Sequence, residues 1–61
     1  MIYTNIKALA DKKGLSIAEI EKRAGLGNGT IGKWREAKPL ADSLAKVAKV
    51  LNVSINTLVK E

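Results

Sequence analysis

The sequence predicts an all-α fold in which five short helices share one core, and three observations carry that prediction. Apolar residues recur at helical intervals in four separate stripes, residues suited to helix starts stand ahead of those stripes, and residues suited to helix stops follow them. Only helical spacing explains all four stripes. A length of 61 residues limits the chain to one domain, 1–61, near the lower size at which a core holds without help. With 46 % hydrophobic and 28 % charged residues, the balance favours a folded globule over disorder.

The first helix is expected over about 4–13, where Ile6, Leu9 and Ala10 form one stripe and Lys12-Lys13-Gly14 close it. Basic residues suit the negative end of a helix, and glycine takes the left-handed turn that ends one. The second, over 16–24, opens on Leu15-Ser16 with Ile20 as a hydrophobic staple. Glu19 stands three residues after Ser16, so hydroxyl and carboxylate can satisfy each other's amides in a capping box. Ile17, Ile20 and Ala24 make its stripe, and Lys22-Arg23 followed by Gly25 stops it.

The third helix, 27–36, starts from Leu26-Gly27 with Ile31 and carries Ile31 and Trp34 inward. Asn28-Gly29 is also a signal for a type I′ hairpin, but the alternating apolar flanks of a hairpin are missing, so the helix is preferred. Ala37-Lys38-Pro39-Leu40 is the one real loop, because Pro39 pushes Lys38 out of the helical region. The fourth helix, 41–51, has the stripe Leu44, Val47, Ala48 and Leu51 and ends at Asn52. The fifth, 54–60, starts from Val53-Ser54 with Leu58.

Composition then narrows function. The chain has no Cys and no His, which removes the usual zinc ligands, a thiol nucleophile, an imidazole base and any disulfide framework. Asp11, Glu19, Glu21, Glu36 and Asp42 scatter among faces and caps with no base or nucleophile to join, so no enzyme and no cofactor is expected. No apolar run approaches the roughly 18 residues that span a bilayer, and the first five residues lack a signal-peptide plan. The expectation is a cytoplasmic protein with no membrane partner. Eleven Lys and Arg against six Asp and Glu give a net charge of +5, which makes a polyanion the first partner to consider. Lys22, Arg23, Lys33, Arg35 and Lys38 face only Glu36 between residues 22 and 38, so most of that charge lies around the third helix. A solvated basic face serving solubility is the plainer alternative.

A helix over 16–24, a turn on Gly25 and a helix over 27–36 form the layout of a helix-turn-helix. Ile20 and Ala24 must then meet Ile31 and Trp34, leaving Asn28, Gly29, Gly32, Lys33 and Glu36 on the free face of the second helix, with Arg35 and Lys38 beside its far end. Residues 16–34, from Ser16 through Ala24-Gly25, Ile31 and Trp34, resemble the lambda-repressor-like, Cro/XRE-type helix-turn-helix family. The likeness extends over about residues 4–60, through Ile6, Leu9 and Gly14, the Lys38-Pro39 loop, and Leu44, Val47-Ala48, Leu51-Asn52-Val53-Ser54 and Leu58.

The resemblance implies a sequence-specific regulator that lays its second motif helix in the major groove while the first crosses the backbone. Carried over residue by residue, Gly27, Asn28, Gly29, Gly32 and Lys33 face the groove, and only Asn28 and Lys33 bear groups that read a base. Asn suits adenine N6 and N7; Lys suits guanine O6 and N7, or phosphate. Backbone contacts are expected from the helix starts at Ser16-Ile17 and Gly27-Thr30 and from Lys22, Arg35 and Lys38. Gly32 costs about 0.8–1 kcal/mol against Ala inside a helix, and it is accepted either because the helix sits deeper in the groove without a side chain or because an exposed site tolerates it. The implied partner is double-stranded DNA carrying a roughly palindromic operator with half-sites about 34–36 Å apart, bound as a weak homodimer. The implied role is a repressor of the phage or mobile-element type. A chain ending after the fifth helix leaves no room for a separate sensing domain, unless the sequence is a fragment.

Three positions depart from the family pattern. Ile17 stands where many members place a phosphate-binding Gln, leaving backbone amides as the contribution of the first motif helix. Glu21 stands at a usually small position, where its carboxylate is within reach of Lys22 or Lys33 without the spacing assigning it to either. Leu40 replaces a usual Ser, so either Asp42 or Ser43 caps the fourth helix later or the phosphate contact of that Ser is lost. Trp34 is read as core and not as a base-stacking platform, since Tyr3 is the only other aromatic residue. Tyr3, Ile55 and Val59 are candidates for an exposed apolar patch near the chain ends, where relatives often dimerise, with solvent-exposed fraying of the ends as the plainer alternative. A protein-interaction module, such as the antitoxin half of a toxin pair, is the competing role.

Overall fold

A computed structural model describes residues 1–60, so the domain expected over 1–61 is seen up to Lys60 and Glu61 lies outside the described residues. Helical segments occupy all five predicted places: α1 (Ile2–Lys13), α2 (Ile17–Ala24), a 3-10 helix (Ile31–Arg35), α3 (Ala41–Leu51) and α4 (Ile55–Val59). α2 lies against α3, and α1 lies against both the 3-10 helix and α4. The apolar stripes meet in one core of Ile6, Ala10, Ile20, Ala24, Ile31, Trp34, Leu44, Val47, Ala48, Leu51 and Leu58, with Leu9 and Ile17 packed at its edge.

The three predicted stops share one geometry. Gly14, Gly25 and Asn52 adopt φ of 72°, 73° and 58°, and the residue after each donates its amide back to the carbonyl five residues earlier. Leu15 reaches Ala10, Leu26 reaches Glu21 and Val53 reaches Ala48, at 2.8, 2.8 and 3.0 Å. These are Schellman motifs, in which an apolar residue beyond the cap packs onto the helix it closes. Leu15, Leu26 and Val53 all sit against the core. The apolar residues read as helix-start staples therefore also finish the preceding helix. α4 ends without a left-handed cap, and Asn5 of α1 serves instead, its Nδ2 donating to the Leu58 and Lys60 carbonyls at 2.8 and 2.6 Å.

Four local expectations are corrected. α1 begins at Ile2, two residues early, because Met1 already accepts from the Asn5 amide. The capping box of α2 is only half made: Ser16 Oγ accepts from the Glu19 amide at 3.0 Å, but the Glu19 carboxylate turns to Arg23 at 2.9 Å. α3 starts from Leu40 with no side-chain cap, and Asp42 faces Lys46 across 3.6 Å, so neither Asp42 nor Ser43 supplies one. The third helix is not a continuous α-helix over 27–36. Gly27–Thr30 is a turn closed by the Thr30 amide on the Gly27 carbonyl at 3.1 Å, and Gly29 has φ of +89°. That is the type II pattern, which needs a residue free to take positive φ at its third position. The helical path resumes only at Thr30, the N-cap of the 3-10 helix, so Gly27 is not the cap.

Candidate nucleic-acid interface

The 3-10 helix buries Ile31 and Trp34 and turns its other residues outward. Gly27, Asn28, Gly29, Lys33, Arg35 and Lys38 are exposed, and Thr30 and Gly32 are half-buried. Trp34 thus belongs to the core and is no stacking surface. An alanine methyl at Gly32 would meet only Arg35 Nη2, at 3.9 Å, so packing within the molecule does not require glycine there. Gly29 differs, since its backbone conformation, and no lack of space, strains any other residue there.

Lys22, Arg23 and Arg35, three of the cations expected around the motif, lie in different settings. Lys22 lines a groove of about 290 Å³ with Ala18, Glu21, Leu26 and Asn28, beside the turn. Arg23, one residue on, instead pairs with Glu19 and lines a different groove with Lys46 and Lys49 between α2 and α3. Arg35 is folded back: its Nε donates to the Gly32 carbonyl at 3.1 Å and its guanidinium lies 5.1 Å from the centre of the Tyr3 ring. Such a cation–π contact holds a long side chain along the surface and leaves its remaining donors outward. Tyr3 is accordingly half-buried under Arg35 and contributes little to an apolar patch, whereas Ile55 and Val59 stay exposed.

The residue that sequence reasoning assigned differently is Glu21. It is 3 % exposed, and its two carboxylate oxygens accept from the amides of Gly29 at 3.1 Å and Ile31 at 2.8 Å. Among the described residues the ion pairs are Lys7–Asp11, Arg23–Glu19 and Lys46–Asp42, so neither Lys22 nor Lys33 is its partner. The signal was in the sequence: 17, 20, 21 and 24 are one helix face, and an acid on an apolar face needs donors. What the sequence does not show is that the donors come from a turn.

The two starts of the motif therefore present different surfaces. At α2 the first intrahelical bond is from Ile20 to Ser16 and the cap takes Glu19, which leaves the Ile17 and Ala18 amides for an outside acceptor. At the 3-10 helix the amides of Gly29, Thr30 and Ile31 are all engaged internally. Residues 6–58 match the family model described as helix-turn-helix. The chain belongs to the helix-turn-helix family. Two helix-turn-helix-type transcriptional regulators named SinR, from Bacillus licheniformis and Bacillus subtilis (strain 168), are each 34 % identical over 64 residues. The chain spans 58 % of the length of these relatives, and they cover all of it. SinR solved in complex with DNA superposes with a TM-score of 0.88 at 32 % identity, covering 98 % of this chain and 100 % of that one. The P22 c2 repressor with a synthetic operator gives 0.87 at 27 % identity, covering 98 % and 94 %. In both solved helix-turn-helix structures the protein is bound to DNA. Among the described residues of this chain no helix is long and apolar enough to cross a membrane.

Proposed function

We propose that this chain is a sequence-specific double-stranded DNA-binding domain of a transcriptional regulator, a repressor of the phage or mobile-element type. The observation that carries the reading is the outward face of the turn and 3-10 helix, polar and cationic, on a body whose likeness extends to a regulator and a repressor each solved on DNA. Asn28 and Lys33 read base edges, Asn28 at adenine and Lys33 at guanine or a phosphate. Gly29 and Gly32 keep that face low so that the backbone approaches the bases. The Ile17 and Ala18 amides at the Ser16-capped start of α2 receive a phosphate, with Lys22, Thr30, Arg35 and Lys38 along the strands and Gly27 at the edge of the groove. Binding is a cytoplasmic, non-catalytic event on a roughly palindromic operator, by a weak homodimer of this single domain.

Selection of a binding site from a random duplex library, followed by titration at several salt concentrations, tests the reading. Affinity should fall by about 0.9 log units per log unit of salt for each phosphate neutralised. Asn28→Ala should cost about 1–3 kcal/mol and relax preference at one base pair only. Absence of any selected sequence, or capture of a protein partner with no salt dependence, would replace it with the interaction-module reading.

A further inference from the structure

Glu21 is the one buried charged side chain among the described residues, and its environment is unusual for a carboxylate. Removing a charge from water is costly unless hydrogen bonds and opposite charge replace the lost hydration. No cation pairs with Glu21; its compensation is the two backbone amides of Gly29 and Ile31. Those donors converge on α2 only because Gly29 takes φ of +89° and sets its own amide and that of Ile31 toward one carboxylate. Acid and turn thus specify each other.

Gly27, Asn28 and Gly29 are exposed and bury no side chain, so they have no core anchor of their own. The Thr30–Gly27 bond shapes the turn internally, but the bonds to Glu21 are what tie it to α2. They fall between the two base-reading positions. One falls on the residue after Asn28 and the other two residues before Lys33, and Asn28 shares a groove with Glu21 itself.

We infer that Glu21 is the positioning residue for base recognition: its buried carboxylate clamps the Gly27–Thr30 turn to α2 and fixes the pose in which Asn28 and Lys33 meet the groove. The inference rests on the DNA-binding reading above and adds the device that makes a glycine-rich segment rigid enough to discriminate bases. When only a fraction of molecules holds the competent pose, apparent affinity for the matched site drops by that fraction, while phosphate-driven binding to any sequence does not.

The test uses the whole chain, Glu21→Gln and Glu21→Ala, each at a temperature where circular dichroism shows it folded. A library-selected duplex and an unrelated duplex are titrated at one salt concentration, and amide hydrogen exchange is followed at Gly29 and Ile31. Gln keeps the shape and one acceptor but sets an NH2 group against the second amide. Exchange at one or both amides should speed up about tenfold or more, as expected for loss of a hydrogen bond to a charged group. The ratio of matched to unrelated affinity should fall about tenfold, with unrelated binding within about twofold of the native chain. Ala should lose more, and either folded variant suffices. Native discrimination in a folded variant, or native protection at both amides, overturns the clamp. A native chain that binds no duplex at all overturns the DNA reading itself, an outcome distinct from one in which native and Gln chains discriminate equally.

Discussion

At the start of α2 the capping acceptor is Ser16 Oγ, three residues from the amide it serves, whereas at the start of the 3-10 helix it is a carboxylate eight and ten residues back on another element. Both answer the same need, since the first amides of a helical segment have no partner inside it. The local cap is exposed, uses one amide and leaves two open to an outside anion. The distant cap is buried, uses two amides and leaves the side chains of the segment to do the contacting. On the DNA-binding reading proposed above, one start holds a phosphate and the other holds a shape, so gripping the backbone and discriminating bases fall to different helical starts.

The largest effect expected is on what lies beneath the second start. Trp34→Ala should destabilise the fold by about 3–5 kcal/mol, the range for removing a large buried aromatic side chain. Denaturant unfolding reads this directly. A small loss would mean that the 3-10 helix is not held by the core and that Glu21 alone keeps it in place.

Gly29→Ala comes next. An added methyl meets nothing within 4 Å, so the whole cost comes from φ of +89°. A left-handed backbone costs a residue bearing Cβ about 1–2 kcal/mol. Gly29→Asn should cost less, since Asn tolerates that region better. If the Ala variant unfolds at the same denaturant concentration as the native chain, the turn is not fixed in the type II form and the carboxylate of Glu21 has no defined donors.

These two positions also show where sequence reasoning reaches. The stripes, the buried face of each helix, the core role of Trp34 and the three left-handed stops were legible because each depends on residues within about five positions of one another. The same local logic found the outward face carrying Asn28 and Lys33. It misjudged the start of the third segment because Gly27 is acceptable at a cap position and stands in the staple spacing between Leu26 and Ile31, although it lacks the side-chain oxygen of a Ser. What displaces the cap to Thr30 is a bond to Glu21, on a face that nearest-neighbour spacing treats as core. Of the lysines considered for Glu21, Lys22 is adjacent and Lys33 lies beyond both donors that the carboxylate found, which are backbone amides that no residue letter announces. Arg35 was legible as a cation, but its folding back onto Tyr3 depends on how α1 packs against the 3-10 helix.

The smallest effect expected belongs to the local cap. Ser16→Ala removes an exposed acceptor, that of the Glu19 amide, at the start of an eight-residue helix and should cost about 1 kcal/mol of stability. The Ile17 and Ala18 amides remain in place, but the first turn that orients them frays more readily once Glu19 has lost its partner. Binding to matched and unrelated duplexes should then weaken alike, by less than about tenfold, because phosphate contacts fix orientation and carry no sequence information. Titration of both duplexes at one salt concentration checks this. A change in base preference from Ser16→Ala would show that the start of α2 sets the pose of the reading segment, and the division of tasks between the two starts would fail at the end where it asks least.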